Sequence, residues 1–329
     1  MEFFKGLIGN EDIKSTLGNA IAKREFLHAY IIEGASGTGK HMVARLASAG
    51  IICGSADCTS DNPCNLCTKI LNDNCADVRF YDAFKVDDVR KIKETLYESA
   101  TECEYKIYVL SNAEKMNVKA QNALLISLEE PPKNVVIFLL CTDATVLLET
   151  IRSRAQILRT KPLTEAQILR YLNENKIPVP DEDKLKEIIK ASFGSLGYVL
   201  DMLNESRADT LIKERERAMS FAVSLLQNDN TTVTTLSSMF NMTRDKLKDL
   251  FSMGLLVLRD LAVIKKAKDA PLCFFTSSKE ASLIASKHNV QKILYTYSQL
   301  EVGIDSLNAN ANVPNTLVSL ITNSKKKGN

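Results

Sequence analysis

The stretch "IIEGASGTGKHMVARLA", residues 31–47, constrains the fold of this chain more than any other. The apolar run His28–Glu33 leads into Gly34-x-x-x-x-Gly39-Lys40, and a helical pattern follows over 41–50. Strand, glycine-rich turn and helix in this order place the turn at the edge of a sheet. Successive backbone N–H groups and a helix N-terminus then converge on one point. That arrangement suits a phosphate anion, with Gly34, Gly37 and Gly39 as the cradle and Lys40 reaching the outer phosphates. The next position ordinarily carries a hydroxyl that ligates Mg²⁺. Here it is His41, a poor substitute because Mg²⁺ takes hard oxygen ligands in tight octahedral geometry.

Short runs rich in Val, Ile, Tyr and Phe recur at 28–33, 78–83, 106–111, 135–142 and 155–160. They read as strands buried on both faces, which is the pattern of a parallel sheet. Helical patterns lie between them at 41–50, 86–100 and 118–129; the last is capped by Asn117 and must stop before Pro131-Pro132. Alternation of this kind predicts an α/β sheet covered by helices on both sides. After Pro162 the strand signals stop. Residues 163–205 predict a small helical lid whose first helix is capped by Thr164. From 207 onward the chain reads as helical, with polar connectors near 227–232 and 266–280, a long apolar-centred helix at 244–266, and a short basic tail, "SKKKGN".

The 329 residues exceed one ordinary core, and the net charge of +2 assigns no partner by itself. No apolar run has the length of a membrane span, and the N-terminus lacks the pattern of a signal peptide. A cytoplasmic location is therefore expected, and with it unpaired thiols. Of eight cysteines, Cys53, Cys58, Cys64 and Cys67 fall within fifteen residues. Four thiolates at this spacing suit a closed tetrahedral Zn²⁺ site with a structural role. Cys75 is an alternative to Cys58 as the fourth ligand. Cys75, Cys103, Cys141 and Cys273 otherwise read mostly as small buried hydrophobes.

Hydrolysis of a nucleotide at such a loop also needs carboxylates at the end of a neighbouring strand. In "KIYVLSNAEKM" those positions hold Ser111 and Asn112, neither of which acts as a base at neutral pH, while Glu114 falls in the following turn. Two separate defects thus point to a pocket that can bind ATP or ADP without cleaving it.

The succession "LIGNEDIKSTLGNAI", "LHAYIIEGASGTGK", the cysteine cluster, "AEKMNVKAQNALLISLEEPPKNVVIFLLCTD" and "LLETIRSRAQ" closely resembles the AAA+ subunits of the bacterial DNA polymerase III clamp loader over residues 3–205. The "AQNALLISLEEPP" segment and the cysteine insertion weigh against other AAA+ machines such as a branch-migration helicase or a helicase loader. The resemblance implies three parts. Residues 1–161 form a P-loop domain with a five-stranded parallel sheet and a zinc insertion at about 53–67. Residues 162–206 form the lid, and residues 207–329 an all-α collar that assembles into a hetero-pentamer with tau/gamma-type and delta-type subunits. It further implies work on the sliding clamp and on primer–template DNA through the complex, with no membrane partner.

The family's Ser-Arg-Cys motif appears as Ser153-Arg154-Ala155, so Arg154 matches the arginine finger offered to a neighbouring subunit's ATP; Arg152 competes for the role, and a plain surface ion pair is the alternative. Gly197 stands where the family's nucleotide-sensing lid arginine falls, and Thr142 occupies the polar sensor position after the fourth strand, where it is equally readable as an ordinary strand-end hydroxyl. The motor subunits keep Lys-Thr or Lys-Ser and an Asp-Glu pair; Lys40-His41 and Ser111-Asn112 match the class that does not hydrolyse ATP, and the active motor class is the alternative.

Overall fold

The structure, a computed structural model, describes residues 4, 6–53, 58, 62–82, 86–227, 239–267, 270, 272–275, 277–309 and 311–326. The connector expected at 227–232 lies outside the described residues beyond Gln227, as do parts of the 266–280 connector and the end of the basic tail. Two compact units emerge: residues 1–177 with 194–198, and residues 178–193 with 199–329.

The first unit holds strands β1 (Ala29–Glu33), β2 (Val78–Asp82), β3 (Lys106–Ser111), β4 (Val135–Cys141) and β5 (Gln156–Arg159). They form one sheet in the order β2-β3-β4-β1-β5, with every pair parallel. Its helices are α1 (Glu11–Lys23), α2 (Lys40–Cys53), α3 (Asn65–Leu71), α4 (Val86–Leu96), α5 (Val118–Glu129), α6 (Glu149–Arg152) and α7 (Glu165–Glu174). The apolar strand runs are continuous because both sheet faces are covered, and alternate residues serve opposite faces. Ile32, Ile107, Val109 and Phe138 pack with α1, α2 and α3; Ile31, Tyr108, Leu110 and Leu139 pack with α4, α5 and α6. Tyr30 stacks on Phe138 with ring centroids 5.4 Å apart. Truncating one such fully buried side chain, as in Ile107→Ala, costs about 2–5 kcal/mol.

The fold class expected from the sequence is the one observed, and element ends follow local chemistry. Helix α5 begins where the Asn117 side chain accepts the Ala120 N–H at 2.9 Å, and it ends one residue before Glu130-Pro131. Helix α7 opens with a reciprocal cap between Thr164 and Gln167. The helix expected over 86–100 stops at Leu96. The reason is Asp77, which is 1% exposed and whose carboxylate accepts the N–H groups of Thr101, Glu102 and Cys103 at 2.8–3.0 Å. Those bonds draw 101–103 into a turn that a continued helix would forbid.

The second unit is helical. It contains α8 (Glu182–Ser192), most of α9 (Leu196–Leu203), α10 (Glu205–Gln227), α11 (Arg244–Lys266), α12 (Ser278–Ser286), α13 (Val290–Asn308) and α14 (Val313–Lys326). Phe221 of α10 stacks on Phe251 of α11, centroids 5.4 Å apart. Gly303 lets α13 approach closely: a Cβ there would lie 2.9 Å from the Phe251 ring. Asp260 is wholly buried and accepts the N–H groups of Cys273, Phe274 and Phe275 at 2.6–3.1 Å, tying the 272–275 segment to α11. Nothing in the local pattern signals this anchor, because a lone Asp in a helical pattern reads as solvated surface. No helix of the described residues is long and apolar enough to cross a membrane.

Candidate functional site

All five strands run the same way, so their C-terminal ends share one edge of the sheet, the usual ligand edge of an open parallel sheet. The loop 34–39 leaves β1 at that edge, Ser111 and Asn112 close β3, and Thr142 follows β4. The sequence-predicted phosphate-loop residues are therefore brought together. Gly37 and Gly39 take φ values of 73° and 91°, which side chains disfavour. A Cβ on Gly34 would collide with Thr160 Oγ1. The loop is stapled at two points: Thr38 and Thr160 hydroxyls meet at 2.7 Å, and the Gly197 N–H donates to the Gly37 carbonyl at 3.1 Å.

Lys40 opens α2, and its ammonium donates to the Gly34 and Ala35 carbonyls at 2.5 and 2.9 Å. Burial pushes its pKa down, while the carboxylate of Glu114 acts in the opposite direction. His41 follows in the first turn of α2 and is exposed. Ser111 is 1% exposed and its Oγ has no partner among the described residues. It lies on the same strand face as Ile107 and Val109, the face that α2 covers. Asn112 has φ 52°, a left-handed conformation that Asn tolerates better than most residues.

Glu114 is the residue that the sequence undervalued. It stands in the short 3₁₀ turn Ala113–Lys115, and Thr142 Oγ1 donates to its Oε1 at 3.2 Å. Its Oε2 is enclosed and has no partner among the described residues. Two other acids on this edge are engaged: Glu33 accepts the Ala144 N–H and pairs with Arg159 at 2.7 Å, and Asp143 accepts from Thr145. Only the turn after β3 brings Glu114 back towards Lys40, so spacing along the chain could not reveal it.

Arg154 lies elsewhere. It precedes β5, at the edge where the strands begin, so the length of the sheet separates it from the phosphate loop. It is not a residue of its own chain's pocket. Its Nη1 donates to the Thr150 carbonyl at 2.9 Å, and its Nη2 pairs with Glu129 at 3.0 Å. The neighbouring Arg152 turns its Nε to the Leu147 carbonyl at 3.2 Å.

The four clustered cysteines converge as expected. All four Sγ atoms lie within 4.8 Å of one another, with Cys53–Cys64 at 3.7 Å and Cys58–Cys67 at 3.5 Å. A tetrahedral zinc site with Zn–S bonds of about 2.3 Å requires sulfurs about 3.8 Å apart, so the donor set fits the ion in kind, number and spacing. The Cys67 N–H donates to the Cys64 sulfur, and with this bond foremost the Cys64 pKa falls to about 7; burial pushes Cys67 up. Cys75 is not the fourth ligand in this arrangement: its sulfur faces Cys103 at 3.7 Å. The cluster is also not a bare loop. Cys53 closes α2, and Cys64 caps α3, which carries Cys67.

Residues 9–164 match the family model described as DNA polymerase III, delta subunit. The chain is 29% identical over 288 residues to DNA polymerase III subunit tau of Bacillus subtilis, covering 80% of this chain and 50% of that protein. It is 30% identical over 213 residues to DNA polymerase III subunit gamma of Buchnera aphidicola, covering 62% and 59%. The chain thus spans between half and three fifths of the length of these relatives. Among solved structures, a DNA polymerase III gamma-subunit-related protein of Thermotoga maritima aligns over 94% of this chain and 99% of its own, with 17% identity and a TM-score of 0.46.

Proposed function

From its kinship with the DNA polymerase III clamp-loader subunits, we propose that this chain is the stator of such a loader, the delta-prime role, lending Arg154 to ATP bound on a neighbouring subunit. The relatives carry the names tau and gamma, so the distinction from them rests on this chain's own residues. His41, Ser111, Asn112 and Gly197 replace four groups that a hydrolysing pocket uses. A planar guanidinium offers paired donors to a γ-phosphate and offsets charge in the transition state. One observation carries the reading: Arg154 is exposed at the sheet edge opposite Lys40, out of reach of its own pocket and open to another polypeptide.

In this reading residues 1–161, 162–206 and 207–329 act as P-loop domain, lid and collar of a hetero-pentamer. That assembly opens the sliding clamp and places it on primed DNA, in the cytoplasm. Zn²⁺ held by Cys53, Cys58, Cys64 and Cys67 would fix the end of α2 to α3 and supplies no chemistry to the pocket. ATP or ADP could rest on Gly34, Gly37, Gly39 and Lys40 without being cleaved.

The test is Arg154→Ala in the reconstituted loader. The expected result is a loss of clamp loading and of ATP turnover by about 10³-fold or more at the affected site, with the variant chain still assembled. Wild-type loading by that complex would end the proposal. A second reading, an active motor subunit, draws on Glu114, whose free oxygen near Lys40 could stand in for the missing acids. Steady ATP turnover by the purified chain, lost on Lys40→Ala, would favour it.

A further inference from the structure

The last residue of α5 and the one after it are both glutamates, Glu129 and Glu130, ahead of Pro131. Carboxylates at a helix C-terminus sit at the negative end of the helix dipole, where they are unfavourable, and the last turn of α5 holds no basic residue to offset them. The compensating cation comes from another segment: Arg154, from the turn after α6, reaches Glu129 Oε1 at 3.0 Å. The same guanidinium donates to the Thr150 carbonyl at 2.9 Å. Two acceptors from two elements therefore fix the plane of a side chain that remains partly exposed, 37% against 48% for Glu129. A guanidinium carries five N–H donors, so these two bonds leave three for other acceptors.

We propose that Glu129 is the positioning residue for Arg154: with the Thr150 carbonyl it holds the guanidinium as a preset fork for a phosphate anion presented by a second polypeptide. This rests on the reading of Arg154 as a finger acting in trans. Arginine loses much rotamer freedom when it is ordered, and a fork already oriented loses less on meeting its anion. Glu129 does not touch the nucleotide; it acts through Arg154 alone.

The experiment uses the reconstituted loader and measures kcat and KM for ATP with wild type, Glu129→Ala, Glu129→Gln, Arg154→Ala and the Glu129→Ala/Arg154→Ala double variant. Glu129→Ala should lower kcat by about two- to fivefold, the range of one exposed ion pair, with KM and assembly unchanged. Glu129→Gln, which keeps an acceptor oxygen, should recover most of the loss. The double variant should match Arg154→Ala, because a residue that acts only through Arg154 has nothing left to contribute once Arg154 is gone. If Arg154→Ala impairs turnover while Glu129→Ala leaves kcat at or above wild type, or if the two losses simply add, the positioning role is overturned and the finger stands. If Arg154→Ala itself has no effect, the finger reading falls, and the positioning role with it.

Discussion

The Gly197 N–H donates to the Gly37 carbonyl at 3.1 Å, and the two backbones are so close that a Cβ on Gly197 would lie 2.9 Å from Gly37 Cα. Position 197 is therefore a place where a side chain cannot stand without displacing the phosphate loop. Gly197→Ala should destabilise the chain by about 1–3 kcal/mol, as overpacking does, and lower Tm by several degrees. An unchanged Tm in thermal unfolding would mean that the loop yields freely.

Glu114 places a negative charge near Lys40, where a phosphate would sit. In EDTA, Glu114→Gln should tighten binding of a fluorescent ADP by roughly threefold, because anion repulsion is relieved. Lys40→Ala should weaken it. If Glu114→Gln instead weakened binding only when Mg²⁺ is present, the carboxylate would be reaching the nucleotide through the cation.

The cysteine geometry sets a stoichiometry. The purified chain should carry one zinc per molecule by elemental analysis. Cys58→Ser and Cys67→Ser should each lose the metal and lower Tm, and Cys75→Ser should keep it, since Cys75 faces Cys103 instead. Full zinc content in Cys58→Ser would reassign the fourth ligand.

Asp77 links stability to pH. Burial raises its pKa, but the N–H groups of Glu102, Thr101 and Cys103 outweigh that and hold it below the usual carboxylate value. A group depressed in the folded state contributes stability that is present above the unfolded pKa of about 3.9 and is lost as pH falls through the folded value. Wild type should thus lose more stability than Asp77→Asn between pH 5 and pH 3 in denaturant melts. At pH 7, Asp77→Ala should cost about 1–3 kcal/mol, since three part-buried N–H groups lose their shared acceptor. Parallel pH profiles for wild type and Asp77→Asn would contradict this.

Asp260 offers the same logic in the helical unit. Asp260→Ala removes the shared acceptor of Cys273, Phe274 and Phe275 and should cost about 3 kcal/mol in chemical denaturation. A loss under about 1 kcal/mol would show that the 272–275 segment is held by its phenylalanines instead.

The sequence determined the parallel sheet, because runs such as 135–141 are apolar at every position and only two covered faces tolerate that. It determined the cap at Asn117, the box at Thr164 and the ends of α11, since these are local contests between side chain and backbone. It also determined that four thiols could meet, for they are close along the chain. Tertiary structure alone decided which four. Cys75 meets Cys103 across 28 residues, and nothing in spacing announces that pair. Tertiary structure also turned Glu114 towards Lys40, buried Asp77 and Asp260 under loops they anchor, and set Arg154 beside Glu129 at the far end of the sheet from its own phosphate loop. Periodicity and capping report which face and which end a residue occupies; which charge it meets depends on strand order and crossover, and those exist only once the sheet has formed.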